Sequence, residues 1–306
     1  SAPVLLGQAA TEWGIAVAHS IFNVLCTAVL LPMGGFLEKL VLRLVPEDKE
    51  PQREAELDER LLATPTLALE RCHTLITDMA SYSLEALRES LLCVGENPEK
   101  YSCHIREDEA KTDHYEDIIG SYLVKLSARK IGESDSALAA EYLRLIGDFE
   151  RIADHSVNVL EAAEEMRRKG IAFSPAAQEE YAVMADAVRE VTALAYDAYV
   201  SGDLSAAEKV EPLEQVIDDL KEELRTRHIR RMQQGTCGIE AGFIWSDLLN
   251  DLERVSDHCS NIACCMIEGI DRSLRRHEVL QSIRGSGEEF DQTYRFFRGK
   301  YMLAGE

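Results

Sequence analysis

A twelve-residue segment occurs twice in this chain, as DFERIADHSVNV at 148–159 and as DLERVSDHCSNI at 251–262. The copies agree at every shared polar position: Asp, Glu, Arg, Asp, His and Asn. Packing alone preserves apolar positions and lets solvated ones drift, so a retained polar pattern implies one chemical task performed twice. It also constrains the architecture, because whatever unit carries the segment is itself duplicated. The offsets from Glu109 to Glu214 and from Glu150 to Glu253 put the period at about 103 to 105 residues.

On a helix, residues four apart stand one turn above each other on one face. Glu150 and Asp154, like Glu253 and Asp257, therefore aim two carboxylates the same way. A like-charge pair at this spacing costs a few tenths of a kcal/mol unless something positive compensates. Ile146, Phe149, Ala153, Val157 and Leu160 form the apolar stripe of the first copy, and Glu150, Asp154 and Asn158 follow its edge. A second pair precedes each of these: Glu109 and Asp113 before the first, Glu214 and Asp218 before the second. If the two helices of each half pack antiparallel, four carboxylates converge, a set suited to iron, manganese, magnesium or zinc. Acidic residues at helical spacing ordinarily just face water; the recurrence sets these apart. Asp148 and Asp251 occupy equivalent positions and join the candidate metal set. His155 and His258 read as interface residues more readily than as ligands, and Arg151 and Arg254 as partners of the neighbouring acids.

The chain has 306 residues, 46% of them hydrophobic, enough for a substantial core. With 55 acidic against 33 basic residues, its formal net charge is -22. That argues against nucleic acid as a partner, since neutralising phosphates needs a basic surface. Eight cysteines without a Cys-x-x-Cys pair fit reduced thiols better than a disulfide framework or a zinc finger. No His-Glu-x-x-His, Gly-x-Ser-x-Gly or phosphate-loop pattern occurs, so hydrolase and nucleotide-triphosphatase readings lack support and the chain reads as a non-enzyme.

Residues 1–45 differ from the rest. From Gly14 to Leu31 the sequence is apolar with no acid, Lys or Arg, Trp13 stands at one end, and Lys39 and Arg43 follow on the other. This predicts a membrane-type helix and membrane contact through residues 14–45, with the Lys/Arg side cytoplasmic. Opening on Ser1-Ala2-Pro3 without a Met, the segment reads as the C-terminal remnant of a transmembrane domain. Residues 46–57 read as a charged, proline-containing linker.

Beyond it, helices run almost without interruption. Thr64-Pro65 and Ser174-Pro175 are helix starts, and Ser205 to Glu208 has capping-box spacing. Gly95, Gly132, Gly170, Gly202 and Gly235 to Gly238 fall where stops are needed. The prediction is all-α: two tandem three-helix bundles, at 58–171 and 172–271, and a C-terminal helical tail at 272–306 that packs back on them.

The segments GDFERIADHSVNVLE and NDLERVSDHCSNIA, in a tandem three-helix frame with Glu-x-x-x-Asp pairs, resemble the PhoU domain, a regulator of bacterial phosphate uptake. AHSIFNVLCTAVLLP, joined to that domain by a short linker, resembles the end of the membrane part of sodium-dependent phosphate cotransporters that carry a fused PhoU-like domain. The resemblance implies metal clusters, iron or zinc among them, held by Glu109, Asp113, Glu150, Asp154, Glu214, Asp218, Glu253 and Asp257. It implies a regulatory domain of a sodium/phosphate symporter at a bacterial cell membrane, with residues 46–306 on the cytoplasmic side. Its partner would be the transport domain of the same full-length protein, and sodium would enter through that missing core, whose Gln-Ser-Ser-Ser motifs are not found here. Inorganic phosphate as a ligand and an oligomeric state stay open. Two alternatives remain: a ferritin-like di-metal oxidoreductase, for which only Glu70-Arg71-Cys72-His73 supplies a Glu-x-x-His motif, and a metal-free interaction domain.

Overall fold

The structure, a computed structural model, describes residues 17–27, 57–270 and 287–303. The chain divides into two units, 1–54 and 55–306. In the first, residues 17–27 form helix α1, which exposes Ile21, Phe22, Val24 and Leu25. Among the described residues no helix is long and apolar enough to cross a membrane. The membrane-type helix expected over residues 14–45 is therefore not supported, and the rest of that segment, like most of the linker, lies outside the described residues.

The second unit contains α2 (Pro65–Cys93), α3 (Ser102–Ser127), α4 (Glu133–Lys169), α5 (Pro175–Ser201), α6 (Leu204–Gln233), α7 (Ile239–Ile270) and α8 (Glu288–Lys300). Pro65 and Pro175 open their helices at the first turn, where a missing N–H is not needed. Ser174 accepts from the Ala177 N–H, whereas the Thr64 side chain makes no capping bond. Gly170 and Gly202 close α4 and α5 in the left-handed region, at φ 65° and 64°, which a residue without Cβ adopts freely. The capping box expected at Ser205 is displaced. Asp203 caps α6 instead, its carboxylate accepting from the N–H groups of Ser205 and Ala206, because an acid two residues earlier meets the free donors first. Helix α6 continues through Pro212, which is buried.

Among the described residues there is no strand. Helices α2, α3 and α4 pack on one another, as do α5, α6 and α7; α4 lies against α7 and α2 against α5. One hydrophobic cluster runs through both sets, from Leu69 and Ile76 to Leu252 and Ile262, so the halves share a core. Across the α2–α5 contact Ser81 Oγ meets Tyr196 OH at 3.0 Å, and Tyr181 OH donates to the Leu91 carbonyl. Helix α8 packs on α6: Phe297, Tyr301 and Leu303 are buried, and Tyr294 OH donates to Asp219 on α6. All eight cysteines are free thiols.

Candidate metal centres and the contact between the repeats

Each half of the bundle brings a ladder from one helix beside a ladder from the next. In the second half, Glu214 and Asp218 on α6 meet Asp257 on α7, with one carboxylate oxygen from each lying within 4.8 Å of the others. Among the described residues this is the only such convergence of three potential ligands. Glu253 belongs to the same patch, but its Oε1 is held by Lys221 Nζ at 2.9 Å. Burial first, then the charges of Glu253 and Asp257, push the Asp218 carboxyl up to about 6. Asp257 is raised as well, by burial and by Glu253.

The first half repeats the arrangement less tightly. Burial and the charges of Asp154 and Asp113 raise Glu109, which puts the α3 and α4 ladders within each other's fields. Burial, then Asp154, push Glu150 up to about 7, with a smaller push from Glu116. Arg151 spans this ladder, 3.3 Å from Glu150 and 3.0 Å from Asp154. In both patches an internal cation, Arg151 or Lys221, already rests on the acids. Neither was assigned to the sites from the sequence beyond Arg151's part as a partner, and Lys221 had no counterpart to draw notice, since Glu116 stands at the equivalent position of the first repeat.

Asp148 and Asp251, grouped with the ladders in the sequence, are placed elsewhere. Asp148 on α4 accepts from His258 Nδ1 at 2.9 Å and from Asn261 Nδ2 at 2.9 Å, both on α7. Asp251 on α7 accepts from His155 Nδ1 at 2.9 Å and Asn158 Nδ2 at 3.2 Å, both on α4. A nitrogen facing a carboxylate must carry the proton, which fixes the imidazole tautomer. The two rings lie 5.8 Å apart. The repeated motif thus divides into two sets of side chains. Glu and the second Asp form the ladder, while the first Asp, His and Asn form a reciprocal clasp joining one repeat to the other.

The clasp had a signal in the spacing. At about 100° per residue, a step of seven returns His155 to within about 20° of Asp148, whereas Glu150 and Asp154 fall roughly 200° to 240° round the helix. Two stripes were present in one motif.

The raised carboxyls dictate a pH dependence. A group that holds its proton more tightly folded than unfolded contributes stability below its ordinary value, and that contribution is lost as pH rises through the raised one. For Glu150 the window runs from the ordinary value of 4.5 to about 7. In metal-free protein Glu150→Gln is expected to raise stability by about 1 kcal/mol at pH 8, after discounting for solvent screening, and to change little at pH 4. Urea unfolding at the two pH values measures the difference; equal effects at both would remove charge repulsion as the cause.

The donor set is all oxygen and strongly negative, which fits hard and borderline cations. The ladders compose it, and neither motif histidine turns its Nδ1 toward them. His73, from the Glu-x-x-His candidate, packs against the rings of Tyr142 and Tyr199.

The comparisons with known proteins agree with this architecture. A phosphate-specific transport system accessory protein, PhoU homolog 1 of Thermotoga maritima, is 27% identical over 149 residues, covering 49% of this chain and 63% of that protein. YjbB of Salmonella typhimurium, a protein named for inorganic phosphate export, is 22% identical over 267 residues, covering 85% of this chain and 49% of that one. The chain therefore spans about half to two thirds of the length of these two relatives. The crystal structure of PhoU from Pseudomonas aeruginosa superposes with a TM-score of 0.62 at 21% identity, covering 67% of this chain and 97% of that one. PhoU from Streptococcus pneumoniae gives 0.61 at 17% identity, covering 69% and 99%. Residues 76–163 and 182–266, more than half of the chain, match the PhoU domain model. The chain belongs to the PhoU domain family.

Proposed function

We propose that this chain is a cation-binding regulatory module of phosphate transport, with no catalytic activity of its own. The convergence of Glu214, Asp218 and Asp257 carries the reading, because three carboxylates so close repel one another unless a cation sits among them. Glu253 completes that site once Lys221 swings off it. Glu109, Asp113, Glu150 and Asp154 form the related site of the first repeat after Arg151 moves aside. Iron, zinc, manganese or magnesium suits either set. A multivalent cation held there supplies positive charge with coordination positions open to an anion, which is how a chain of net charge -22 could hold inorganic phosphate.

In this reading residues 58–171 and 172–271 are the two regulatory bundles. They report cation and phosphate status to the transport domain of the same full-length protein, a sodium/phosphate symporter at the cytoplasmic face of a bacterial membrane. The family match and the relatives named for phosphate transport and export support this. Regulation then means a differential affinity of the transport domain for the occupied and stripped forms.

Equilibrium dialysis with radiolabelled phosphate tests the ligand part. Manganese-loaded protein is expected to retain phosphate, and chelator-stripped protein to release it. Equal retention by both forms, or none by either, counts against the proposal.

A further inference from the structure

Between the C-terminal half of α6 and the start of α7 lies an apolar groove of about 260 Å³, for which neither the ladders nor the clasp has a use. Ile229, Met232, Ile239 and Phe243 wall it, and all four are exposed, the last two at 69% each. Contiguous exposed apolar surface of this kind marks a binding site more often than a solvated face. Trp245 and His228 line the groove more deeply, stacked with centroids 6.0 Å apart. Both are more than nine-tenths buried, and among the described residues Trp245 Nε1 and His228 Nε2 have no hydrogen-bond partner.

The end nearer the Asp218 patch is basic. Lys221, which Glu253 holds at 2.9 Å, and Arg225 line it, and among the described residues Arg225 meets Glu222 at 3.7 Å, with a side chain 64% exposed. In a chain of net charge -22, Arg225 beside an apolar wall is an exposed cation whose pairing with Glu222 is long. The fold does not require it. At the equivalent positions of the first repeat, Glu116 and Gly120 stand for Lys221 and Arg225, and Ser136 and Ala140 for Ile239 and Phe243. The duplicated frame is the same, so these substitutions distinguish the second repeat alone.

We infer that the groove binds a free amphipathic carboxylate, its head at Arg225 and its hydrocarbon body against Ile229, Phe243 and Trp245. Charge selects the head, since a neutral analogue makes no ion pair with Arg225. A groove between two helices suits a single chain lying along it. The inference is independent of metal at the ladders.

Titration calorimetry of the full chain with decanoate, decanol, acetate and inorganic phosphate, in the presence of chelator, tests it. Decanoate is expected to bind, with decanol, acetate and phosphate each about tenfold weaker or more. Arg225→Glu and Phe243→Ser, both surface changes, are expected to weaken decanoate by about tenfold while the melting curve stays close to that of the parent. Decanol binding as tightly as decanoate, decanoate binding untouched by both substitutions, or no decanoate binding at all would overturn the inference. Co-sedimentation with phosphatidylglycerol vesicles supplies the remaining arm. Protein that stays in the supernatant supports a free ligand, and pelleting that depends on Phe243 overturns it in favour of a lipid surface.

Discussion

Manganese or zinc added to chelator-stripped protein is expected to raise the melting temperature by about 5 to 10 °C. A ligand at a hundred times its Kd stabilises the native state by about 2.7 kcal/mol, and a chain of this size gains roughly 2–4 °C for each kcal/mol. The triple variant Glu214→Gln, Asp218→Asn, Asp257→Asn inverts the pattern at one site. Without metal it is more stable than the parent at pH 8, because burial and mutual repulsion already push Asp218 up to about 6 and raise Asp257. With metal it gains less. Differential scanning calorimetry with and without cation reads both signs in one experiment. A variant that is weaker in chelator and gains as much from the cation would mean that these carboxylates are structural and bind nothing.

Removing the clasp is expected to be costly in a different way. Asp148→Ala leaves His258 and Asn261 of α7 without their acceptor, and Asp251→Ala does the same to His155 and Asn158 of α4. Each leaves partly buried donors unsatisfied, at about 1–3 kcal/mol. The two sites share one interface, with rings 5.8 Å apart, so the double variant will depart from the sum of the singles. Urea unfolding of the four proteins measures this coupling. The clasp variants are expected to keep their cation response, while the ladder variants keep their clasp. Loss of the cation response from Asp148→Ala would mean that the first Asp is a ligand after all, and that the motif performs one task.

What a sequence discloses depends on which interactions are local. Helix boundaries are local, and Ser174-Pro175, Gly170 and Gly202 announced them because a capping hydroxyl, a fixed φ and a missing Cβ act within a single turn. The expectation failed at Ser205 for an equally local reason, since the competing acid Asp203 stood two residues upstream. The ladders were legible as pairs on one face. That α3 and α4, or α6 and α7, would lay them side by side depended on packing that spacing alone does not state. The clasp was harder still. Its partners are 93 to 113 residues apart, and nothing within one helix says that Asp148 answers His258 rather than a cation. Lys221 breaks the repeat, so the preserved pattern carries no sign of it.

The most direct test of the central claim, that paired carboxylate ladders hold cations at two related sites, is metal stoichiometry by elemental analysis after dialysis against manganese. The parent chain is expected to retain one class of bound metal at each repeat. Glu109→Gln with Glu150→Gln is expected to remove one class, and Asp218→Asn with Asp257→Asn the other. A parent that retains no metal, or a pair of variants that each retain the full complement, would contradict the account.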